Sequence, residues 1–223
     1  MSVVIGIDEA GRGPVLGPLV MAAVAVDKKG LKKLEELGVK DSKLLTADKR
    51  LEIFEQLADV VTDYRVQVIE PTAIDLTLAS PGTNLNWLEA DTAASMVNEM
   101  EHSKVIVDCP SVNIDSFKDY FVNKLTNKKA TVILEHKADM NHLVVAAASI
   151  VAKVIRDMEI EKIKSEVGID FGSGYMSDSL TVSFLNECFE THDYIFRRNW
   201  ASYQQRVRLK QQKTLGEFDD ESW

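Results

Sequence analysis

A chain of 223 residues, 45% of them hydrophobic, can bury one substantial core. Its four histidines form no HExxH motif and its two cysteines, Cys109 and Cys188, form no CxxC pair, which excludes the usual zinc and iron–sulfur patterns and suggests reduced structural thiols. The net charge of −9 excludes indiscriminate coating of nucleic acid but permits a local basic groove; with no basic leader and no bilayer-length apolar run visible, a soluble cytoplasmic protein is expected.

The β-branched run Val3, Val4, Ile5, Ile7 predicts a buried strand that carries Asp8 and Glu9 into a turn built from Gly11, Gly13 and Pro14. Successive strand side chains face opposite ways, so the two acids converge only if the strand ends between them and the backbone bends. The glycines permit such a bend and leave N–H groups open to a phosphate or sugar. Taken alone, the stretch fits either a polar strand-to-loop junction or a metal site beside a polyanion.

Leu19–Val26 is apolar and small, as in a central strand buried on both faces, and the short link to the first strand predicts antiparallel pairing. Residues 27–43 read as a solvated loop and short helix, with Ser42 and Lys43 as an alternative phosphate contact. Thr46 followed by Asp48 marks a helix start, with Leu51, Phe54, Leu57 and Val61 on one face. Tyr64, Val66 and Val68 alternate with Arg65 and Gln67 in a strand with one wet face.

A helix over 88–100 precedes a strand over 104–109 that brings Asp108 to its end before Pro110. Phe117, Tyr120, Phe121 and Leu125 mark another amphipathic helix. A strand over 130–135 leads through His136, Lys137 and Ala138 to Asp139. One long helix follows over 143–166, its first half small enough to lie close on a sheet. Residues 171–175 form a glycine loop and 183–191 a short helix, before a basic run of Arg197, Arg198, Arg206, Arg208, Lys210 and Lys213.

Separate strand ends thus deliver Asp8 with Glu9, Asp108 and Asp139. Ligands of open α/β sheets collect at the carboxyl ends of strands, where these acids can meet. Clustered carboxylates repel, and a hard divalent cation relieves the repulsion; all-oxygen ligation selects magnesium or manganese over zinc. Two such ions about 4 Å apart activate a water and stabilise the leaving oxygen of an in-line displacement. The pattern favours a metal-dependent phosphodiesterase over a Ser/His/Asp hydrolase.

Taken together, Asp8-Glu9-Ala10-Gly11-Arg12-Gly13-Pro14, Asp41-Ser42-Lys43, Asp108, His136-Lys137-Ala138-Asp139, Ala147-Ala148-Ser149-Ile150-Val151-Ala152-Lys153 and Gly172-Ser173-Gly174-Tyr175 resemble ribonuclease H type 2 (ribonuclease HII) in its archaeal single-chain form. The match runs in order over nearly the whole chain. It implies an α/β ribonuclease H-like fold, a mixed five-stranded sheet flanked by helices, over residues 1–167. A helical substrate-binding extension over 168–211 and a flexible tail over 212–223 would follow.

The resemblance also implies an endoribonuclease that cleaves the RNA strand of RNA/DNA hybrids and incises 5′ to single ribonucleotides in duplex DNA, leaving 3′-hydroxyl and 5′-phosphate ends. Asp8, Glu9, Asp108 and Asp139 would hold two Mg2+ or Mn2+ ions. Gly11, Arg12 and Gly13 would read the ribose 2′-hydroxyl, and Tyr175 would pack against the sugar on the DNA side of the junction. Ser42, Lys43, Lys153, Arg197 and Arg198 would contact the substrate backbone. Met176 follows Tyr175 where the family commonly has proline. Gln212, Leu215 and Phe218 fit the sliding-clamp peptide of archaeal relatives, with Asp219 in place of its second aromatic; the enzyme itself is expected to be a monomer. A structure-specific DNA endonuclease on the same fold and a non-catalytic hybrid-binding or clamp-adaptor protein are the rival readings.

Overall fold

The structure is a computed structural model that describes residues 2–39 and 45–220, side chains included as far as residue 212. Strands β1 (Val4–Ala10) and β2 (Leu19–Val26) form the expected antiparallel pair. Helices α1 (Lys28–Glu36) and α2 (Ala47–Leu57) lead to strand β3 (Asp63–Ile69), which pairs antiparallel with β2. Thr46 caps α2 as its sequence signals, accepting a hydrogen bond from the Lys49 N–H. Its core face differs from the expected stripe, because Ile53 and Leu57 are buried while Leu51 is exposed.

Helices α3 (Pro71–Ala79) and α4 (Leu85–Asn98) cross to strand β4 (Lys104–Asp108), and α5 (Ile114–Lys124) crosses to β5 (Thr131–Glu135). The one-turn helix α6 (Ala138–Asn141) runs into α7 (Leu143–Val167), and α8 (Ser179–Cys188) and α9 (Ala201–Asp220) complete the chain. The sheet order is β3-β2-β1-β4-β5, with β4 parallel to both β1 and β5. The expected mixed five-stranded sheet with flanking helices is therefore present. No helix among the described residues is long and apolar enough to cross a membrane.

Strand alternation divides the core. Ile5 and Ile7 of β1 and Val105 and Val107 of β4 join Phe117, Phe121 and the apolar side of α4 on one face. Val20, Ala22 and Val24 of β2 and Ile106 of β4 join the small first half of α7 on the other. Gly6 is the closest approach: a Cβ there would lie 2.4 Å from the Val144 carbonyl carbon, so only glycine lets α7 settle on β1.

A third cluster binds the C-terminal segment to the loop after β1. Val15 and Leu16 pack with Phe171, Phe184, Phe196 and Tyr203. Backbone bonds accompany the packing, from Val15 N to Gly174 O (2.9 Å), Gly17 N to Ile195 O (2.9 Å) and Arg197 N to Val15 O (2.8 Å). Helix α3 serves the same joint, since its buried Asp75 accepts from the backbone N–H of Arg198 at 2.9 Å and of Asn199 at 3.1 Å.

Candidate active site

The register of the parallel half builds the site. Ile7 of β1 lies beside Val107 of β4, so the next residues, Asp8 and Asp108, stand side by side on the α7 face. Beyond β5, Lys137 takes a left-handed conformation (φ 59°). His136 Nδ1 lies 3.0 Å from the Cys109 carbonyl oxygen, and Ala138 N donates to Asp108 Oδ1 at 3.3 Å. This turn folds Asp139 back over the end of β4. Carboxylate oxygens of Asp8, Asp108 and Asp139 come within 4.8 Å of one another.

Glu9 behaves differently from the expectation that β1 ends between the two acids. The strand runs on to Ala10, so Glu9 projects to the opposite face from Asp8. Its carboxylate lines the same cleft but lies 3.5 Å from Arg12 Nε. The three aspartates offer hard oxygen donors only, a set suited to a divalent cation such as Mg2+ or Mn2+.

The field in the site is that of a site built for a cation. Burial pushes the Asp8 carboxyl up to about 7; a hydrogen bond from Ser149 opposes the rise and the Asp108 charge adds to it. Burial, then the Glu89 charge, hold Glu9 well above the usual carboxylate range. Helix α7 supplies the counter-charge. Ser149, Lys153 and Arg156 recur at helical spacing, Lys153 Nζ is hydrogen-bonded to Ser149 Oγ, and Lys153 and Arg156 line the cleft. Asp157 lies 3.3 Å from Arg50 Nη2 and 4.0 Å from Arg156 Nη1, which makes it a partner of two arginines at the cleft edge.

The glycine loop forms the opposite wall of this cleft, which has a volume of about 510 Å³. Arg197, expected among the phosphate contacts, is fully buried and directed at the loop. Its Nε donates to Gly17 O at 3.0 Å, Nη1 to Arg12 O at 2.9 Å and Nη2 to Gly11 O at 2.5 Å. Trp200 Nε1 donates to Gly13 O at 3.2 Å. A trans peptide points its N–H opposite its carbonyl, so with the Gly11 and Arg12 carbonyls turned to Arg197, the N–H groups of Arg12 and Gly13 face away from that arginine, in a loop that lines the cleft. Gly11 is irreplaceable here, at φ +82° with Arg156 Nε 2.4 Å from where a Cβ would stand.

Tyr175 closes the wall, its Cε1 3.6 Å from the Cβ position of Gly13 and its ring under the Arg156 guanidinium at 5.3 Å. Met176 is exposed, and the order of this loop comes from elsewhere. Asp178 accepts from Ser173 N at 2.8 Å and Leu180 N at 3.0 Å, while buried Thr181 Oγ1 accepts from Gly174 N at 3.0 Å and donates to Phe171 O at 2.8 Å. Arg198 pairs with Asp75 at 3.3 Å and Asp193 at 3.6 Å and does not line the cleft. Ser42 and Lys43 lie outside the described residues, as do the side chains of Leu215 and Phe218; Gln212 is exposed in the middle of α9.

A sequence profile described as Ribonuclease HII matches residues 5–203. The chain belongs to the ribonuclease HII family. Ribonuclease HII of Pyrococcus furiosus is 40% identical over 221 residues, an alignment spanning 96% of each chain. The crystal structure of ribonuclease H2 from Pyrococcus horikoshii superposes with a TM-score of 0.82 at 41% identity, covering 92% of this chain and 96% of that one. A ribonuclease HII solved as a PCNA:RNase HII complex from Archaeoglobus fulgidus superposes with a TM-score of 0.79 at 35% identity, covering 87% of this chain and 92% of that one. As a family member the chain is a divalent-metal-dependent hydrolase that cleaves the RNA strand of RNA/DNA hybrids.

Sequence inspection overlooks Glu89 and Asn86 of α4, which hold Arg12. Arg12 Nε donates to Glu89 Oε1 at 2.8 Å and Nη2 to Asn86 Oδ1 at 2.8 Å. Glu89 is completely buried, and burial raises its carboxyl to about 7 against the opposing pull of Arg12. A glutamate three residues after an asparagine in an apolar helix was the available signal.

Proposed function

We propose that the enzyme incises immediately 5′ to ribonucleotides, including single ribonucleotides embedded in duplex DNA, and leaves 3′-hydroxyl and 5′-phosphate ends. The observation that carries this reading is the meeting of Asp8, Asp108 and Asp139 within 4.8 Å, in a cleft that Gly11, Arg12 and Gly13 also line. Asp8, Asp108 and Asp139, with Glu9 from the neighbouring face, are the acids that would hold two Mg2+ or Mn2+ ions. When bound, such ions supply a water nucleophile at neutral pH and charge stabilisation at the leaving oxygen.

The remaining roles fall to the chain itself. The N–H groups of Arg12 and Gly13 donate to the ribose 2′-hydroxyl, the group that distinguishes RNA from DNA. Tyr175 stacks on the sugar across the junction, where a deoxyribose fits and an extra hydroxyl does not. Lys153, on the α7 wall, offsets phosphate charge beside the acids, and Ser42, Lys43 and Arg198 contact the substrate backbone. Arg197 acts indirectly, by holding the loop carbonyls. The enzyme works as a monomer, in the cytoplasm. Gln212, Leu215 and Phe218 dock on a sliding clamp, a reading supported by the PCNA complex of the Archaeoglobus relative.

Asp139→Asn tests the acid assignment. Cleavage of a hybrid should fall below detection while hybrid binding, measured by fluorescence anisotropy, stays within about threefold; near-native cleavage would remove Asp139 from the site.

A further inference from the structure

Arg12 is the one charged side chain in the glycine loop, yet its guanidinium is directed to α4 and to Glu9. Nε sits between Glu89 Oε1 at 2.8 Å and Glu9 Oε1 at 3.5 Å, and Nη2 donates to Asn86 Oδ1. Asn86 and Glu89, three residues apart, share one helical face. Asn86 Nδ2 donates in turn to Ser111 Oγ at 3.3 Å, and Ser111 is the third residue beyond Asp108. A hydrogen-bonded path therefore runs from the loop through α4 to the segment that follows a metal-site aspartate.

The one hydrogen bond to the Glu89 carboxylate comes, among the described residues, from Arg12; the Arg197 charge adds a weaker pull. Glu89 is fully enclosed, one oxygen is spent on Arg12 Nε, and its Oε2 is buried with no hydrogen-bond partner among the described residues. A buried carboxylate with one orphaned oxygen costs free energy that an apolar residue would not. The bond to Arg12, which favours the ionised form more than the Arg197 charge does, is the contact that offsets this cost and fixes the loop. Arg197 holds the loop by its carbonyls from the C-terminal side; Glu89 and Asn86 hold it by a side chain from the α4 side.

We infer that Glu89 is a positioning residue for strand cleavage, acting through Arg12 to set the glycine loop, and with it Glu9, against the aspartate cluster. This rests on the proposed reading of the loop as the part that engages the ribose. Glu89 does not touch substrate. Its loss should leave duplex binding unchanged and impair the geometry in which the bound strand reacts.

The test is a double-mutant cycle on a continuous RNA/DNA hybrid. Glu89→Ala should lower kcat by about 10- to 100-fold with KM within about twofold, as expected for an angstrom-scale misplacement. Glu89→Gln, which keeps an oxygen for Arg12 Nε, should recover most of the loss. Arg12→Ala should lower kcat by a similar factor, and the double variant should be no worse than the poorer single. Multiplying losses, or a loss confined to KM, would overturn the inference. If Glu89→Ala does not fold, Asn86→Ala must show the same kcat-selective loss coupled to Arg12, and its absence is equally fatal. Failure of the underlying reading looks different: the wild-type enzyme would cut a hybrid with 2′-fluoro in place of 2′-hydroxyl as fast as RNA, whatever the cycle shows.

Discussion

Replacing Asp8 by asparagine should make the metal-free protein more stable while abolishing its activity. Burial lifts the Asp8 carboxyl from 3.8 to about 7. Between those values the folded chain keeps a proton that the unfolded chain has lost, so stability falls as pH rises across that window and stays reduced above it. A rise of about 3 units at 1.36 kcal/mol each sets a ceiling of about 4 kcal/mol. Asp8 also accepts hydrogen bonds from Glu9 N at 2.7 Å and from Ser149. Both bonds already oppose the rise and are contained in it; burying the new side-chain amide costs about 2 kcal/mol, which leaves a net gain of about 2 kcal/mol. For a chain of this length that is about 4–8 °C in Tm. Thermal unfolding in EDTA at pH 8 should show Asp8→Asn melting above wild type, with the gap closing toward pH 4. Added Mg2+ or Mn2+ should raise the wild-type Tm and leave the variant's unchanged, since a cation stabilises only the state that binds it. A variant no more stable than wild type at pH 8, or a gap independent of pH, would refute the electrostatic account.

Other substitutions probe the supports of the site. Arg197→Met strips donors from three loop carbonyls and should cost about 3–5 kcal/mol in urea unfolding, with Arg197→Lys recovering little because an ammonium cannot span the same acceptors. Gly11→Ala forces a Cβ to within 2.4 Å of Arg156 Nε at φ +82°, and kcat/KM on a hybrid should fall about 100-fold or more. Gly6→Ala sets a Cβ 2.4 Å from the backbone of Val144 and must push α7 off the sheet; a loss of about 1–3 kcal/mol is expected, and a Tm within 1 °C of wild type would contradict the close packing.

The sheet and its acids were legible because short apolar, β-branched runs bounded by turn residues are strong local signals. β1, β2, β4 and β5 lie where those runs lie; Asp8 stands two residues before the end of β1, Asp108 ends β4, and Asp139 follows β5 by four residues. The long α7 was equally plain from its small residues. Boundaries set by tertiary contact were less readable. Helix α8 begins at Ser179, ahead of the expected Ser183, because Asp178 caps it while also binding the Tyr175 loop. Helix α3 was not expected, and its buried Asp75 has a purpose only once Arg198 and Asn199 arrive from the far end of the chain.

The same limit explains the supports of the glycine loop. Arg197 sits in a basic run, and such a run reads as a solvated face; its burial follows from loop carbonyls 180 or more positions away. Glu89 reads as an ordinary polar helix residue until Arg12 is brought to it from 77 positions earlier. Asp8 and Glu9 were expected to converge through a strand end between them, whereas β1 persists to Ala10 and sets Glu9 on the opposite face, 3.5 Å from Arg12. Groups that do chemistry announce themselves by residue type, but groups that hold them are recognisable only by their partners.

The central claim is that three aspartates and a glycine loop lining the same cleft together make a cutter that requires a ribose. An end-labelled DNA duplex carrying one ribonucleotide, compared with an all-DNA duplex of the same sequence in Mg2+ or Mn2+, tests it most directly. The account predicts a single incision on the 5′ side of the ribonucleotide and an intact all-DNA control. Equal cutting of the two duplexes would contradict it.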